Sequence, residues 1–343
     1  MKKLILHIGF NKTGTTSIQK DLTLNADRLL AQGILYPCDP NASYVQRWQH
    51  LPLAAAIPDR RVPWLSPAKR KSLGRAFSDL KSYIADQNFQ TLLISSENFG
   101  APDMTESKVR WVQQQFSGYD ITVLAYIRRQ DAYFLSTYQQ SIKAGRSRAF
   151  DFEEYKSERL LRFASRLAPW RAVFGSERVI VRPFDGQFWP ERQLFLDFLA
   201  SFGADPTGVE ITAPENEGLD FRAVEIFRQL NELSDGLPAK ASRVQLAAFQ
   251  SLFREMLPNL PAQLGWQKMQ LSTAQSIILR DYFRSENIVA LEGSGIDVDA
   301  FFPEIPTGIP EWLVPEQLSA QMLLRLVYAA TLQQDADQTS TTE

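Results

Sequence analysis

The apolar positions fall into two kinds of run. Leu4–Ile8, Thr91–Ser96, Ile121–Ile127 and Val179–Pro183 are short and nearly continuous. Runs of that length, bounded by turn or charged residues, predict strands buried on both faces, as in a parallel sheet. Other stretches repeat at helical spacing. Ile18, Leu22, Leu29 and Leu30 predict a helix beginning near Thr15. Leu73, Phe77, Leu80 and Ile84 predict one helix from Pro67 to about Asp86. Further helices are expected over 105–116 and 131–143, and around Phe195–Leu199. Ile34–Pro37 is a brief extended piece, and 38–66, rich in Pro, Asn and aromatics, has no clear period. From Asp220 onward the pattern is mostly helical, at 220–233, 243–257, 272–286 and 315–331. Strands alternating with helices imply βαβ units and a mostly parallel sheet. There is no internal repeat. The expected organisation is one α/β domain over 1–333, helical from about 204, with a polar, disordered tail over 334–343.

Composition narrows the picture. The chain has 343 residues, 44% of them apolar, which is ample for a large core. Lys plus Arg number 37 against 39 Asp plus Glu, a net charge of −2. That balance argues against general binding to nucleic acid or membrane surfaces and permits a local site for a small anion. A single cysteine, Cys38, excludes an intrachain disulfide and a cysteine-built zinc site, and only His7 and His50 are present as histidines. The start MKKLILHIGF looks like a leader, but its apolar run ends at Asn11 and Lys12 and reads as a first strand. No window reaches the ~18 apolar residues of a membrane span. A cytoplasmic setting is expected, with no transmembrane segment.

Candidate chemistry begins after the first strand. Gly9-Phe10-Asn11-Lys12-Thr13-Gly14 has the glycine spacing of a nucleotide phosphate loop. The lysine is displaced, however, standing at Lys12 inside the loop, while Thr15 takes the usual lysine position. The anion-binding physics survives this change. Glycines let backbone N–H groups turn inward, and a helix N-terminus carries partial positive charge. Lys12 adds a full charge, and Thr13, Thr15, Thr16 and Ser17 offer hydroxyls. The plainer alternative is a tight βα turn with Thr15 or Thr16 capping the helix. The strand–loop–helix context favours a phosphate cradle.

The run His7-Ile8-Gly9-Phe10-Asn11-Lys12-Thr13-Gly14-Thr15-Thr16-Ser17-Ile18-Gln19 resembles the 5′-phosphosulfate loop of sulfotransferases that use 3′-phosphoadenosine 5′-phosphosulfate (PAPS), in the form seen in bacterial carbohydrate-type members. That family's second signature is a strand ending in Arg with a Ser eight residues later on a helix. Here Val123–Ile127 ends at Arg128, and Ser136 follows at that spacing. The likeness is strong over about 1–20 and 119–145, looser at 91–100 and 178–203, and vague elsewhere. It implies a P-loop-like, three-layer α/β fold with a central, mostly parallel sheet and a helix-rich C-terminal part. It also implies PAPS as donor, with no metal, and Arg128 and Ser136 holding its 3′-phosphate. Arg129-Gln130 stands where the family usually has Asn-Pro, which leaves open which arginine points inward.

Ligands of open α/β sheets bind outside the carboxyl ends of the strands. Gly9–Thr16, Glu97 and Arg128 all stand at such ends. Sulfuryl transfer, like phosphoryl transfer, needs positioning and charge stabilisation. The resemblance places Lys12 on the leaving phosphate and Thr15 and Thr16 on the 5′-phosphate oxygens. The acceptor hydroxyl needs a base. Glu97 is the first candidate, in a Ser-Ser-Glu run that also resembles the bacterial members. His50, in Trp48-Gln49-His50-Leu51-Pro52, is the second. His7 reads as structural. Lys143–Arg148 is a basic segment suited to a solvated loop or an anionic acceptor, and Trp48 and Trp64 stand in a segment expected to face the acceptor. The resemblance implies a hydroxyl-bearing saccharide or glycolipid as partner, and the oligomeric state is not legible. The alternatives are a variant P-loop kinase, which Thr15 in the lysine position counts against, and a non-catalytic nucleotide-binding protein.

Overall fold

Strand β1 (Lys2–His7) is the middle of a five-stranded sheet. The chain continues through α1 (Thr15–Leu24), α2 (Ala26–Ala31), β2 (Ile34–Leu35), α3 (Leu51–Ala55), α4 (Pro67–Lys71) and α5 (Ala76–Ala85). It returns as β3 (Thr91–Ser95), α6 (Glu106–Gln115), β4 (Tyr119–Ile127), α7 (Gln130–Lys143), α8 (Phe163–Phe174), β5 (Val179–Pro183) and α9 (Leu194–Ala200). The computed structural model describes residues 1–60, 62, 64–212, 224–225, 227–229, 231–232, 269–302 and 305–309. The strand order is β2-β3-β1-β4-β5, with every neighbouring pair parallel. In register, Leu6 of β1 lies between Ile94 and Val123. Successive crossovers leave β1 to one side for β2 and return past it for β4. The loops after β1, β3 and β4 therefore meet at one sheet edge, where such folds place ligands.

Strand alternation assigns the faces. Ile5, Leu93, Leu124 and Tyr126 lie in one buried cluster with Ile18 and Leu22 of α1 and Phe195, Phe198 and Leu199 of α9. Leu4, Leu6, Leu92, Ile94 and Val123 alternate to the other face and are fully buried. On that side α8 packs on β4 and α6, and Trp170 meets Phe99 edge-on at 6.4 Å. Helices thus cover both faces, giving the three-layer α/β arrangement expected from the sequence. A polar strut crosses one interface. The Tyr126 hydroxyl donates to Asp197 Oδ2 at 2.6 Å, and Arg182 grips both oxygens of the same buried carboxylate. A buried carboxylate needs such partners, because an uncompensated charge there is strongly destabilising.

Several elements differ from the sequence expectation. The single helix over 67–86 is two, α4 and α5, separated by a 3₁₀ turn at Leu73–Arg75 around Gly74. The first helix breaks at Asn25, whose amide donates to the carbonyls of Asp21 and Glu210 and whose Oδ1 accepts the Glu210 N–H. The periodless stretch 38–66 contains α3. Helix α8 was not expected at all, although Phe163, Leu167, Trp170 and Phe174 have helical spacing. The 272–286 helix runs from Thr273 to Ala290. In the 220–233 region, residues 224–225, 227–229 and 231–232 are helical. The helices expected at 243–257 and 315–331 and the tail at 334–343 lie outside the described residues.

The chain divides into two compact units. The first comprises Met1–Tyr133, Lys156–Glu215 and Leu279–Ile305, and the second Phe134–Tyr155, Asn216–Ile278 and Pro306–Glu343. The sheet belongs to the first. In the second, Arg228 binds the buried Glu225 carboxylate and the Ser147 carbonyl, and the Asn231 amide donates to the carbonyls of Ile142 and Arg146. In that unit Arg146 and Arg148 of the basic segment both reach the Glu154 carboxylate.

Candidate active site

The loop between β1 and α1 is built for close approach. Gly9 has φ +34° and Gly14 has φ +71°. A Cβ on Gly9 would stand 2.8 Å from Thr15 Oγ1 and 3.2 Å from the Glu97 backbone. A Cβ on Gly14 would meet Leu194 at 2.3 Å and Phe184 at 2.6 Å. Lys12 also adopts the left-handed region, with φ 64°, which a side chain reaches only at a cost. Gly14 is the N-cap of α1 and brings no capping side chain. The first N–H groups of a helix have no intrahelical acceptor and carry its partial positive charge.

The loop braces itself from within. The Thr13 hydroxyl donates to the Phe10 carbonyl at 2.6 Å and the Thr15 hydroxyl to the same oxygen at 3.3 Å. Both threonines are buried, while Thr16 is exposed and Asn11, Lys12 and Ser17 are partly exposed. The hydroxyl protons of Thr13 and Thr15 thus shape the cradle, and Thr16 and Ser17 hold the accessible ones. The Phe10 ring is fully buried, stacked on Phe163 at 5.7 Å.

Arg128, just past β4, donates from Nη1 to the Lys12 carbonyl at 3.2 Å, and its guanidinium lies over the Phe184 ring at 5.4 Å. Arg129 is bound through Nε and Nη2 to the Asp131 carboxylate at 3.2 and 3.1 Å. Arg128 is therefore the arginine that joins the loop. Ser136 lies on α7, in the second unit.

Glu97 opens the turn Glu97–Gly100 after β3. Burial raises its pKa, while the positive charges of Lys12 and Arg166 act against that rise. The turn lies directly against the β1 loop. A Cβ on Gly100 would stand 2.3 Å from the Gly9 carbonyl and 2.5 Å from the Phe10 ring.

The two histidines have structural partners. His50 Nε2 donates to the Pro37 carbonyl at 2.8 Å, and its Nδ1 accepts the Ser95 N–H at 3.1 Å. Both nitrogens are occupied, the ring is buried, and burial lowers its pKa to about 4. His7 is fully buried beneath the loop, paired through Nδ1 with the Ser95 hydroxyl at 2.8 Å, its pKa lowered by burial to about 3. Of the expected aromatics, Trp48 has the Lys20 ammonium over its ring at 4.6 Å, and Trp64 is exposed.

Sequence reasoning did not find Gly100, Phe184, Leu194 or Arg166. Arg166, on α8, is buried, donates from Nε to the Gly100 carbonyl at 2.9 Å, and lies over the Phe10 ring at 3.8 Å. Its position in the apolar spacing of α8 was the one available signal. Lys12, Arg128 and an anion-ready helix terminus thus converge at one edge of the sheet, beside a carboxylate whose basicity burial has raised. Such a set can hold a polyanion and accept a proton next to it.

No family model matches the chain. An uncharacterized protein of Archaeoglobus fulgidus is 25% identical over 201 residues, covering 57% of this chain and 55% of that one. The chain therefore spans about half the length of that relative. Among solved structures, a sulfotransferase from Alicyclobacillus acidocaldarius aligns with 17% identity and a TM-score of 0.39, covering 68% of this chain and 91% of that one.

Proposed function

We propose that the protein transfers a sulfuryl group from PAPS to an acceptor hydroxyl. The observation that carries this reading is the meeting of the Gly9–Gly14 loop, Arg128 bound to the Lys12 carbonyl, and the half-buried Glu97 carboxylate at one sheet edge. The residues fit such a donor. Gly9 and Gly14 leave no side chain in the cradle, and the groups around it are cations and N–H donors, the complement of a phosphosulfate. The loop's likeness to the phosphosulfate loop of bacterial carbohydrate-type enzymes supports a saccharide or glycolipid hydroxyl as acceptor.

In this reading the bound donor supplies the activated sulfuryl group and its leaving phosphate. Lys12 and the first N–H groups of α1 hold the 5′-phosphate side, with the Thr16 and Ser17 hydroxyls beside them. Arg128 holds the nucleotide's second phosphate. Glu97 accepts the proton of the acceptor hydroxyl as its oxygen bonds to sulfur and the phosphate oxygen departs. Burial makes Glu97 a stronger base, and the adjacent cations keep it ionised. His50 has no nitrogen left for this task, so Glu97 is the base in the proposal.

The test is calorimetric titration of adenosine 3′,5′-bisphosphate in metal-free buffer, beside ADP with magnesium. Binding of the bisphosphate that is lost in Arg128→Ala is the expected result. Glu97→Gln is expected to keep that affinity and lose about 10²-fold or more of sulfuryl transfer. Binding of magnesium ADP alone would overturn the reading in favour of a kinase, and bisphosphate binding with no transfer to any tested hydroxyl would leave only a nucleotide-binding protein.

A further inference from the structure

Arg166 is a cation in the wrong place for a purely structural residue. It is buried, it comes from α8, and its hydrogen-bond partners among the described residues are the Gly100 and Leu160 carbonyls and the Tyr133 hydroxyl, none of them a carboxylate. Its Nε donates to the Gly100 carbonyl at 2.9 Å and its Nη1 to the Leu160 carbonyl at 2.8 Å, while Nη2 is buried without a partner. One face of the guanidinium covers the Phe10 ring at 3.8 Å. A buried guanidinium with an unmatched N–H group is costly, and an apolar side chain of similar volume would remove that cost. The position of the charge accounts for it. Arg166 touches both segments that form the floor of the site, the Glu97–Gly100 turn through Gly100 and the β1 loop through Phe10.

We propose that Arg166 is the positioning residue for Glu97: its guanidinium ties the Glu97–Gly100 turn to the β1 loop and is the counter-charge that stays with the Glu97 carboxylate when the donor takes up the charge of Lys12. The inference rests on the sulfuryl-transfer reading for its role in catalysis, and on the Gly100 and Phe10 contacts together with the charge–charge interaction for its effect on Glu97. Among the described residues, charged and titratable groups from three elements act on Glu97. Lys12 from the loop and Arg166 from α8 favour its ionised form, and the Tyr133 hydroxyl from the start of α7 lies within electrostatic reach. Beyond Arg166, Glu158 is the other acidic group that interacts with the guanidinium. Lys12 is the group that a phosphosulfate would occupy. Once its charge is matched by the donor, its pull on Glu97 weakens and burial alone would drive the carboxyl toward its neutral form, which cannot accept a proton. Arg166 is instead engaged with the Gly100 and Leu160 carbonyls and the Phe10 ring, so in this proposal its charge is not consumed by donor binding.

The experiment is a carbon-13 titration of the glutamate side-chain carboxyls in the full chain, with Glu97→Gln assigning the resonance, in wild type, Arg166→Met and Arg166→Lys. The expected result is an upward move of the Glu97 titration in Arg166→Met and a smaller one in Arg166→Lys, which keeps the charge but not the planar fork. In the transfer assay, the ratio of the rate at about pH 6 to that at about pH 8 should fall about threefold or more in Arg166→Met, with bisphosphate affinity held within about threefold. A structural role would lower the rate equally at both pH values. An unmoved Glu97 titration in both variants overturns the proposal. If Arg166→Met does not fold, an unmoved titration in Arg166→Lys together with a wild-type pH profile overturns it. A moved titration in a protein that binds no bisphosphate would uphold the coupling and refute the sulfuryl-transfer reading, so the two failures are distinguishable.

Discussion

Lys12 holds an unfavourable backbone conformation in the β1 loop. Its φ of 64° belongs to the left-handed region, where a side chain costs about 1–2 kcal/mol relative to glycine. Its carbonyl accepts from Arg128, so the same conformation anchors the Arg128 guanidinium to the loop. Stability and function should therefore separate at this position. Lys12→Ala keeps the strain and removes the charge, whereas Lys12→Gly removes both. Both variants are expected to lose about 10²–10³ in turnover, the usual consequence of deleting a group that stabilises developing charge. In urea unfolding, Lys12→Gly should be more stable than Lys12→Ala by about 1 kcal/mol, after the greater backbone entropy of glycine is set against the relieved strain. Turnover of Lys12→Ala near that of wild type would remove Lys12 from the chemistry.

At the scale of elements, the site is a contact between two turns. The Glu97–Gly100 turn and the β1 loop approach so closely that a Cβ on Gly100 would lie 2.3 Å from the Gly9 carbonyl and 2.7 Å from that of Ile8. These are backbone atoms held by the sheet, with Ile8 N–H bonded to Leu124 and Ser96 N–H to His7. They cannot yield as a side-chain tip would. Gly100→Ala is expected to cost about 1–3 kcal/mol in urea unfolding, and to lower transfer by displacing Glu97 even where the protein remains folded. A variant with wild-type stability would mean that the turn slides freely over the loop. The sequence made the β1 loop and Glu97 visible, but not the contact between the two turns. The β1 loop announces itself because its chemistry is local, with two glycines, a lysine and a helix start inside eight residues. The strands were legible for the same reason, since each is a continuous apolar run. Gly100 and Arg166 act across 66 residues of chain, and no local pattern carries that information. Helix α8 was obscured by Pro169 within it and by Arg162, Arg166 and Arg171, which give a buried element the look of a surface loop. The break at Asn25 depends on Glu210, which only the folded chain brings near.

On the scale of the whole molecule, acid sensitivity follows from where the two histidines are buried. Both belong to the first unit, and both are joined to Ser95 of β3, His7 through the side chain and His50 through the backbone N–H. Folding holds each ring neutral, with pKa values lowered from 6.5 to about 3 for His7 and about 4 for His50. The unfolded chain therefore binds more protons than the folded one below about pH 6.5, and the stability gained from neutral burial is complete above that value and lost as pH falls toward 4 and then 3. Between about pH 7.5 and about pH 5.5 the loss is about 1.4 kcal/mol for each ring, or nearly 3 kcal/mol together. Glu97 and Asp21, whose burial raises their pKa, act in the opposite sense, so the histidine contribution has to be isolated by substitution. His50→Gln serves, because its amide can donate to Pro37 and accept from Ser95 without titrating. The measurement is the urea midpoint of the first unit at the two pH values, followed by hydrogen exchange of the β1 and β4 amides. On acidification His50→Gln should lose about 1.4 kcal/mol less than wild type. Equal losses in the two proteins would show that His50 takes up its proton in the folded chain at the same pH as in the unfolded one, and would reopen its case as the base, since a ring that titrates near neutrality while folded is one that reaches solvent or substrate.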